Sequence, residues 1–278
     1  MREIAMNIAG KTILVTGSTD GLGRLVARRL AAGGANVLIH GRDKERGEKL
    51  VGELRAANTG KAVFYQADLA SLANVRRLAD AVQKNHGQIH VLVNNAGLGS
   101  GPDFGTRAAS ADGHELRFAV NYLAGFLLTR LLLPSIVRSA PARIVNVSSL
   151  GQQPLDFGDV MLERAYDGGR AYRQSKLAQI MFTIDLAQEL AGTSVTVNSL
   201  HPATFMDTTM VRLSGTKPTS TVEQGADAVM KLVASGDVEG ESGLFFNGLN
   251  ESRANEQAYD ADARRKLREL SLRVTGLS

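Results

Sequence analysis

The sequence predicts an α/β fold: a single domain over residues 1–278, built on a doubly wound parallel sheet of about seven strands with helices on both faces. Three observations lead there. Short apolar runs rich in β-branched residues alternate with helical segments along nearly the whole chain, the pattern of a parallel sheet covered on both sides. A glycine-rich turn joins the first such run to the first helix. No Pro/Gly/Ser-rich linker and no internal repeat divides the chain.

The elements follow in order. TILVTG (residues 12–17) reads as a buried strand, and GLGRLVARRLAAGG as a helix closed by Gly33 and Gly34. NVLIH (36–40) is a second strand, followed by a charged helix over about 43–57. AVFYQ (62–66) is a third strand and 71–85 a third helix. IHVLV (89–93) precedes a long helix over roughly 110–138. RIVNVS (143–148) is the fifth strand, and the helix carrying Tyr172 runs to about Ala191 with Gly192 as its cap. VTVNSL (195–200) and GLFFN (243–247) complete the sheet, and 251–278 form a C-terminal helix and tail. Residues 150–171 and 201–221 break the rhythm. Long irregular segments in a compact domain are commonly functional, so both are expected to be lids over a substrate pocket.

The bulk numbers narrow the function classes. An apolar content of 44% and a charged content of 22% over 278 residues suit a soluble globular chain with a sizeable core. The absence of cysteine excludes disulfides and thiolate metal sites. MREIAMNIAG (1–10) lacks an apolar core of signal-peptide length. The most apolar run, VNYLAGFLLTRLLLPSIV (120–137), is interrupted by Asn121, Arg130 and Pro134, which argues against a membrane span. The net charge of +4 is spread along the chain, and its densest basic stretch, ARRKLREL (263–270), reads as a solvated helix face rather than a nucleic-acid footprint. A cytoplasmic protein is expected.

VTGSTDGLGR places Gly17, Gly21 and Gly23 at a strand-to-helix turn. Glycines there accept positive φ and let backbone amides approach a pyrophosphate, which the helix N-terminus favours. A tight turn without a ligand is the plainer alternative. The spacing is not G-x-G-x-x-G, because Val26 stands at the third glycine. AMNIAGKT ends like a triphosphate loop but has Ala5 where that motif needs glycine, and it precedes a strand. Beyond the second strand, HGRD offers Arg42, which suits the 2′-phosphate of NADP(H), with NAD(H) as the other candidate; Asp43 beside it reads equally as a helix cap.

AYRQSKLAQ puts Tyr172 four residues before Lys176, on one helix face. A free tyrosine titrates near pH ~10. A neighbouring cation lowers that value toward the range useful for general acid–base catalysis. A surface tyrosine–lysine pair is the bland reading. Of the five tyrosines only Tyr172 has lysine at this spacing. Other chemistries fare worse. VSSLG has Val147 where a serine-hydrolase elbow needs glycine. His86 and His90 are separated by Gly87 and a strand start, and His114-Glu115 lacks a second histidine, so no metal site is expected.

In this order, Gly17-x-x-x-Gly21-x-Gly23, Asp68-Leu69, NNAG (94–97), Asn121, Ser149 and Tyr172-x-x-x-Lys176 resemble the classical short-chain dehydrogenase/reductase family, over roughly residues 11–248. RIVNVSS and AYRQSKLAQIMFTIDLAQEL are most similar to its retinol-dehydrogenase-like branch. The resemblance implies a Rossmann-type fold and an oxidoreductase acting on a small-molecule carbonyl or alcohol. Tyr172 would be the acid/base, Lys176 would lower its pKa and hold the nicotinamide ribose, Ser149 would hold the substrate oxygen, and Asn121 would anchor a water. It implies cofactor contacts at Gly17, Ser18, Thr19, Gly21, Leu22, Gly23, Arg42, Asp68, Leu69, Asn94, Ala96, Gly97, Tyr172, Lys176, Pro202 and Thr204. The chain departs from the family at HPATFMDTTM: Ala203 replaces a glycine and Asp207 a threonine, leaving Thr204, Thr208 or Thr209 for the carboxamide. Leu150, Leu155, Phe157, Val160, Met161, Phe205, Met206 and Met210 on the two lids suggest a lipophilic substrate, the alternative being that they pack on the body. The resemblance also implies a homodimer or homotetramer paired through the helices of Asn121 and Tyr172. Two rival readings are a non-catalytic NADP-binding regulator on the same fold and an NADP-dependent epimerase or dehydratase.

Overall fold

The computed structural model describes residues 6–57, 60–99 and 105–277. The elements run β1 (Thr12–Val15), α1 (Gly21–Ala32), β2 (Asn36–Gly41), α2 (Lys44–Ala56), β3 (Ala62–Gln66), α3 (Leu72–Asn85) and β4 (Val91–Asn94). There follow a π-helical turn (Phe118–Leu123) that continues into α4 (Ala124–Arg138), then β5 (Ala142–Val147), α5 (Gly168–Glu189) and β6 (Val195–His201). The chain closes with the short α6 (Thr209–Leu213), α7 (Val222–Ala234), β7 (Phe245–Asn247), β8 (Asn250–Ser252) and α8 (Ala261–Thr275).

The strands form one sheet in the order β3-β2-β1-β4-β5-β6-β7-β8, parallel throughout except for the last pair. Strand residues alternate between two cores, as the two-residue period of a strand requires. Ile13, Val15, Val37 and Ile39 pack with α1, α2 and α7; Leu14, Leu38 and Leu92 pack with α3, α4 and α5. The strand order reverses between β1 and β4. In a doubly wound sheet the crevice at that switch point, outside the strand C-termini, is where ligands bind.

The structure differs from the sequence expectation in several places. An eighth strand, β8, pairs antiparallel with β7 across a turn in which Gly248 has φ +59°. Residues 110–115 are not helical. Gly113 turns at φ +83°, and the Glu115 carboxylate accepts the Phe118 amide at 2.7 Å, so Glu115 caps a helix that starts at Leu116 and widens into the π turn at Phe118. The Tyr172 helix ends at Leu190, and Gly192 belongs to the turn beyond it. Helix α7 supplies the crossover between β6 and β7, a helix beyond those expected from the sequence. The long apolar helix at 118–138 has the length and composition of a membrane span but packs inside the second core, with Phe118, Tyr122, Phe126 and Leu127 buried.

Helix α8 lies over α5. Its Leu267 and Ser271 are buried against Tyr122, Phe126 and Phe182; Ser271 and the Tyr122 hydroxyl are hydrogen-bonded at 2.7 Å, and Arg268 pairs with Asp185 at 2.6 Å.

Candidate active site

The glycine turn is held by its neighbours before any ligand arrives. Gly17 has φ +64°, and a Cβ there would stand 2.8 Å from the Ala96 Cα; a Cβ on Gly23 would stand 2.3 Å from the Gly17 carbonyl oxygen. Asn95 donates to the carbonyls of Thr16 (2.8 Å) and Gly17 (3.2 Å), and its amide donates to the Thr16 hydroxyl (2.9 Å). Buried His40, at the end of β2, accepts the Gly17 amide on Nδ1 at 3.1 Å; burial pushes its pKa down to about 4, so it is neutral at neutral pH. Ser18 is buried and bridges the carbonyl of Val15 and the amide of His40. Asp20 caps α1 and is tied to Thr209 (2.8 Å) and Arg46 (3.4 Å). In the first turn of α1 the amides of Leu22 and Gly23 have no acceptor within the helix. Close glycine packing and outward amides fit the pyrophosphate of a dinucleotide.

Across the crevice stand the groups from α5 and the end of β5. The Ser149 hydroxyl accepts the Gly151 amide at 3.0 Å, and a Cβ on Gly151 would stand 3.4 Å from Ser149 Oγ and 3.7 Å from the Tyr172 ring, so the two side chains meet over that glycine. Burial pushes the Tyr172 phenol above its ordinary value, and the Ser149 hydroxyl opposes that rise. Lys176 is buried, with Nζ 5.8 Å from the centre of the Tyr172 ring and donating to the Val147 carbonyl and to Gln179 Oε1, both at 3.0 Å. Burial lowers its pKa to about 7. Desolvation of the phenol therefore dominates at Tyr172, and it is Ser149 that opposes it.

Asn121 falls in the π turn, where the wide turn places Ala119 O opposite the Ala124 amide. Its carboxamide accepts the Leu98 amide (2.6 Å) and donates to the Leu98 carbonyl (3.0 Å) and to Ser175 Oγ (2.9 Å). It thus joins the turn after β4 to α5. Gly97 lies between: a Cβ there would be 3.3 Å from Asn121 Oδ1 and 3.5 Å from Lys176 Nζ.

The remaining expected residues divide. Asp68 turns inward to its own loop, accepting the Ala70 amide at 3.0 Å, and Leu69 is buried. Asn94 is engaged through its side chain within the protein. Its side chain leaves the crevice and donates to Thr129 Oγ1 and Asn146 Oδ1, both at 2.9 Å, because strand register sets Asn94 opposite Asn146. Pro202 is buried near Leu22 and Met206 by way of Gly225. Thr204 bonds its hydroxyl to His201 Nε2 at 3.0 Å; Thr208 caps α6 and stands over Gly21, and Thr209 holds Asp20. His201 is neutral, its pKa pushed to about 4 by burial and then by the Lys176 charge. Asp43 caps α2, accepting the Arg46 amide at 3.0 Å, and Arg42 is exposed beside it. Next to them opens a cleft of about 270 Å³ lined by Thr19, Asp20, Arg24, Arg46, Lys49 and Thr209.

The lids are also split. Leu155 and Val160 lie in the core and Phe157 and Met161 pack on it, so most of 150–171 is body rather than cover. Gln257 clasps the Leu155 backbone at both amide and carbonyl. Leu150, Phe205, Met210 and Leu213 stay exposed around the crevice side, Phe205 with φ +45°. Sequence reasoning missed His40, Thr16 and Gln179. Only His40 carried a signal, as the penultimate residue of the strand that neighbours β1.

Comparison with known proteins agrees with this geometry. A short chain dehydrogenase family model matches residues 11–218. The chain is 36% identical to retinol dehydrogenase 14 of Homo sapiens, covering 96% of this chain and 87% of that protein. It is also 36% identical to retinol dehydrogenase 13 of Mus musculus, covering 98% and 85%. Among solved structures it resembles a protein from Mycobacterium paratuberculosis, with a TM-score of 0.80 and 28% identity over 99% of this chain and 98% of that one. The NADP complex of Pseudomonas aeruginosa RhlG is similar at a TM-score of 0.71 and 30% identity over 88% and 97%. A 3-ketoacyl-(acyl-carrier-protein) reductase from Brucella melitensis in complex with NADH is similar at 0.68 and 27% over 86% and 97%. A doubly wound sheet with a glycine turn facing a serine, tyrosine and lysine defines a nicotinamide-dependent oxidoreductase. The chain belongs to the short-chain dehydrogenase/reductase family, and its relatives place it with the retinol-dehydrogenase-like members.

Proposed function

We propose that the protein is an NADP(H)-preferring reductase or dehydrogenase of lipophilic carbonyls or alcohols, with Tyr172 as the proton donor and acceptor. The observation that carries this reading is the convergence of Ser149 and Tyr172 over Gly151, with buried Lys176 5.8 Å from the Tyr172 ring, beside the glycine turn at the switch-point crevice. A bound nicotinamide supplies the hydride acceptor or donor. The chain's own groups do the rest. Ser149 and the Tyr172 hydroxyl converge on one point, where a carbonyl oxygen can accept from both. Tyr172 gives that oxygen its proton in reduction and removes it in oxidation. Lys176 favours the phenolate by its charge. Asn121 holds the turn carrying Gly97 and Leu98, which keeps this wall of the crevice in place.

Three features support the finer points. Asp43 is engaged as a helix cap, while Arg42 and the cleft cations Arg24, Arg46 and Lys49 suit a 2′-phosphate. The exposed apolar side chains of Leu150, Phe205, Met210 and Leu213 suit a lipophilic substrate. Retained Ser149, Tyr172 and Lys176 favour an enzyme over a cofactor-binding regulator.

The test is a fluorescence titration with NADPH and NADH, followed by a carbonyl panel with Tyr172→Phe as control. We expect NADPH to bind at least tenfold more tightly, with Arg42→Ala removing most of the difference. Tyr172→Phe should keep cofactor binding and lose about 10²–10⁴-fold in turnover. Binding of neither nucleotide would overturn the reading.

A further inference from the structure

Lys176 is 5% exposed, and its ammonium donates to two acceptors. One acceptor is the Val147 carbonyl, which the backbone supplies whatever the sequence. The other is Gln179 Oε1, one helical turn further along α5, 4% exposed and 3.0 Å from Nζ. We infer that Gln179 is a positioning residue, which holds the Lys176 ammonium charged and in place and through it sets the proton affinity of Tyr172. This inference rests on the hydride-transfer reading for its consequence, though not for its geometry.

The backbone of Gln179 is braced from behind. Its carbonyl accepts the Thr183 hydroxyl at 2.8 Å, Thr183 Oγ1 accepts Asn146 Nδ2 at 2.8 Å, and Asn146 Oδ1 accepts Asn94 Nδ2, which also donates to Thr129. A file of buried neutral polar groups thus crosses from α5 over β5 and β4 to α4. It contains no carboxylate. The titratable groups that face the ammonium are Tyr172 on its own helix and His201 at the end of β6, the latter neutral; Ser149 and Asn121 carry no charge. The choice of a neutral acceptor has a physical consequence. A carboxylate at 179 would pair with the ammonium and cancel its field at Tyr172. An apolar residue would remove one of two acceptors from a buried cation, and burial would then drive off its proton. A carboxamide avoids both: it stabilises the charge without neutralising it.

The test uses the whole cofactor-free protein. Lys176 is titrated by NMR of its side-chain nitrogen and Tyr172 by phenolate absorbance, each against a Lys176→Met or Tyr172→Phe reference. Gln179→Leu should lower the Lys176 pKa by about one to two units, the loss of one hydrogen bond to a charged group. Gln179→Glu should raise it by about one to three units. Both should raise the Tyr172 pKa, and Gln179→Asn should restore part of the wild-type value. If Gln179→Leu does not fold, the nearly isosteric Gln179→Met serves in its place. Opposite shifts at Lys176 are a signature that a merely packing role would not produce. Unchanged titrations, or shifts of the same sign in both variants, would overturn the inference. Failure of the functional reading would appear separately, as wild-type protein that binds neither NADPH nor NADH.

Discussion

Lys176 concentrates the electrostatics of the site in one buried amine. Its pKa of about 7, lowered by burial from 10.5, makes it a stability determinant as well as a functional group. Between those two values the unfolded chain holds the proton that the folded chain lacks. Stability therefore rises with pH across this window and declines as the pH drops toward 7. Thermal unfolding of the cofactor-free protein should climb between about pH 7 and pH 9.5, by roughly 2–4 °C for each kcal/mol of linkage. Lys176→Met should flatten that climb; an equal climb in the variant would show that the lysine is not responsible. At this scale Tyr172, Lys176 and Ser149 were legible because a four-residue spacing on a helix and a strand end are local facts. Asn94 has side-chain partners that were not legible. Its neighbours in sequence belong to the crevice, but the strand pleat turns its side chain toward Asn146 and Thr129.

Among the elements, the glycine turn makes the sharpest prediction. Gly23 has the Gly17 carbonyl 2.3 Å from where a Cβ would sit, whereas Gly52, on the outer face of α2, has nothing within 4 Å. Gly23→Ala should force the turn apart, cost about 1–3 kcal/mol and weaken NADPH binding at least tenfold. Gly52→Ala should stabilise by about 1 kcal/mol, the helix-propensity difference, with binding unchanged. Urea unfolding and fluorescence titration of the two variants check this, and similar outcomes for both would refute the packing argument. The π turn at Asn121 and the helix start at Leu116, capped by Glu115, were not foreseen, because a capping carboxylate and a one-residue helical widening leave no distinct pattern in hydrophobic spacing. The lids were half legible. Their exposed apolar residues were recognised together with Leu155 and Val160, which the fold turns inward.

For the whole molecule, the position of α8 decides assembly. That helix packs Leu267 with Phe126 and Phe182 and bonds Ser271 to Tyr122, so apolar surface of α4 and α5 is already covered within one chain. We therefore expect a monomer by light scattering, in place of the dimer or tetramer expected from resemblance. Leu267→Asp, which buries a charge in that contact, should destabilise the fold by several kcal/mol and raise the apparent mass by exposing the apolar face. A wild-type dimer that survives dilution would refute this.

Spacing along the chain was enough to establish the alternation of strands and helices, the glycine turn, the tyrosine–lysine pair and hence the reaction class. Each of these depends on neighbours within a few residues, whose geometry the backbone period dictates. Packing across elements settled the rest: which amide of Asn94-Asn95 braces the glycine turn, how Gln179 meets Lys176 and stands at the end of a file that begins at Thr129, and what α8 covers. Those contacts join residues far apart in sequence, and their existence depends on strand register and on which helix faces meet, which no local pattern encodes.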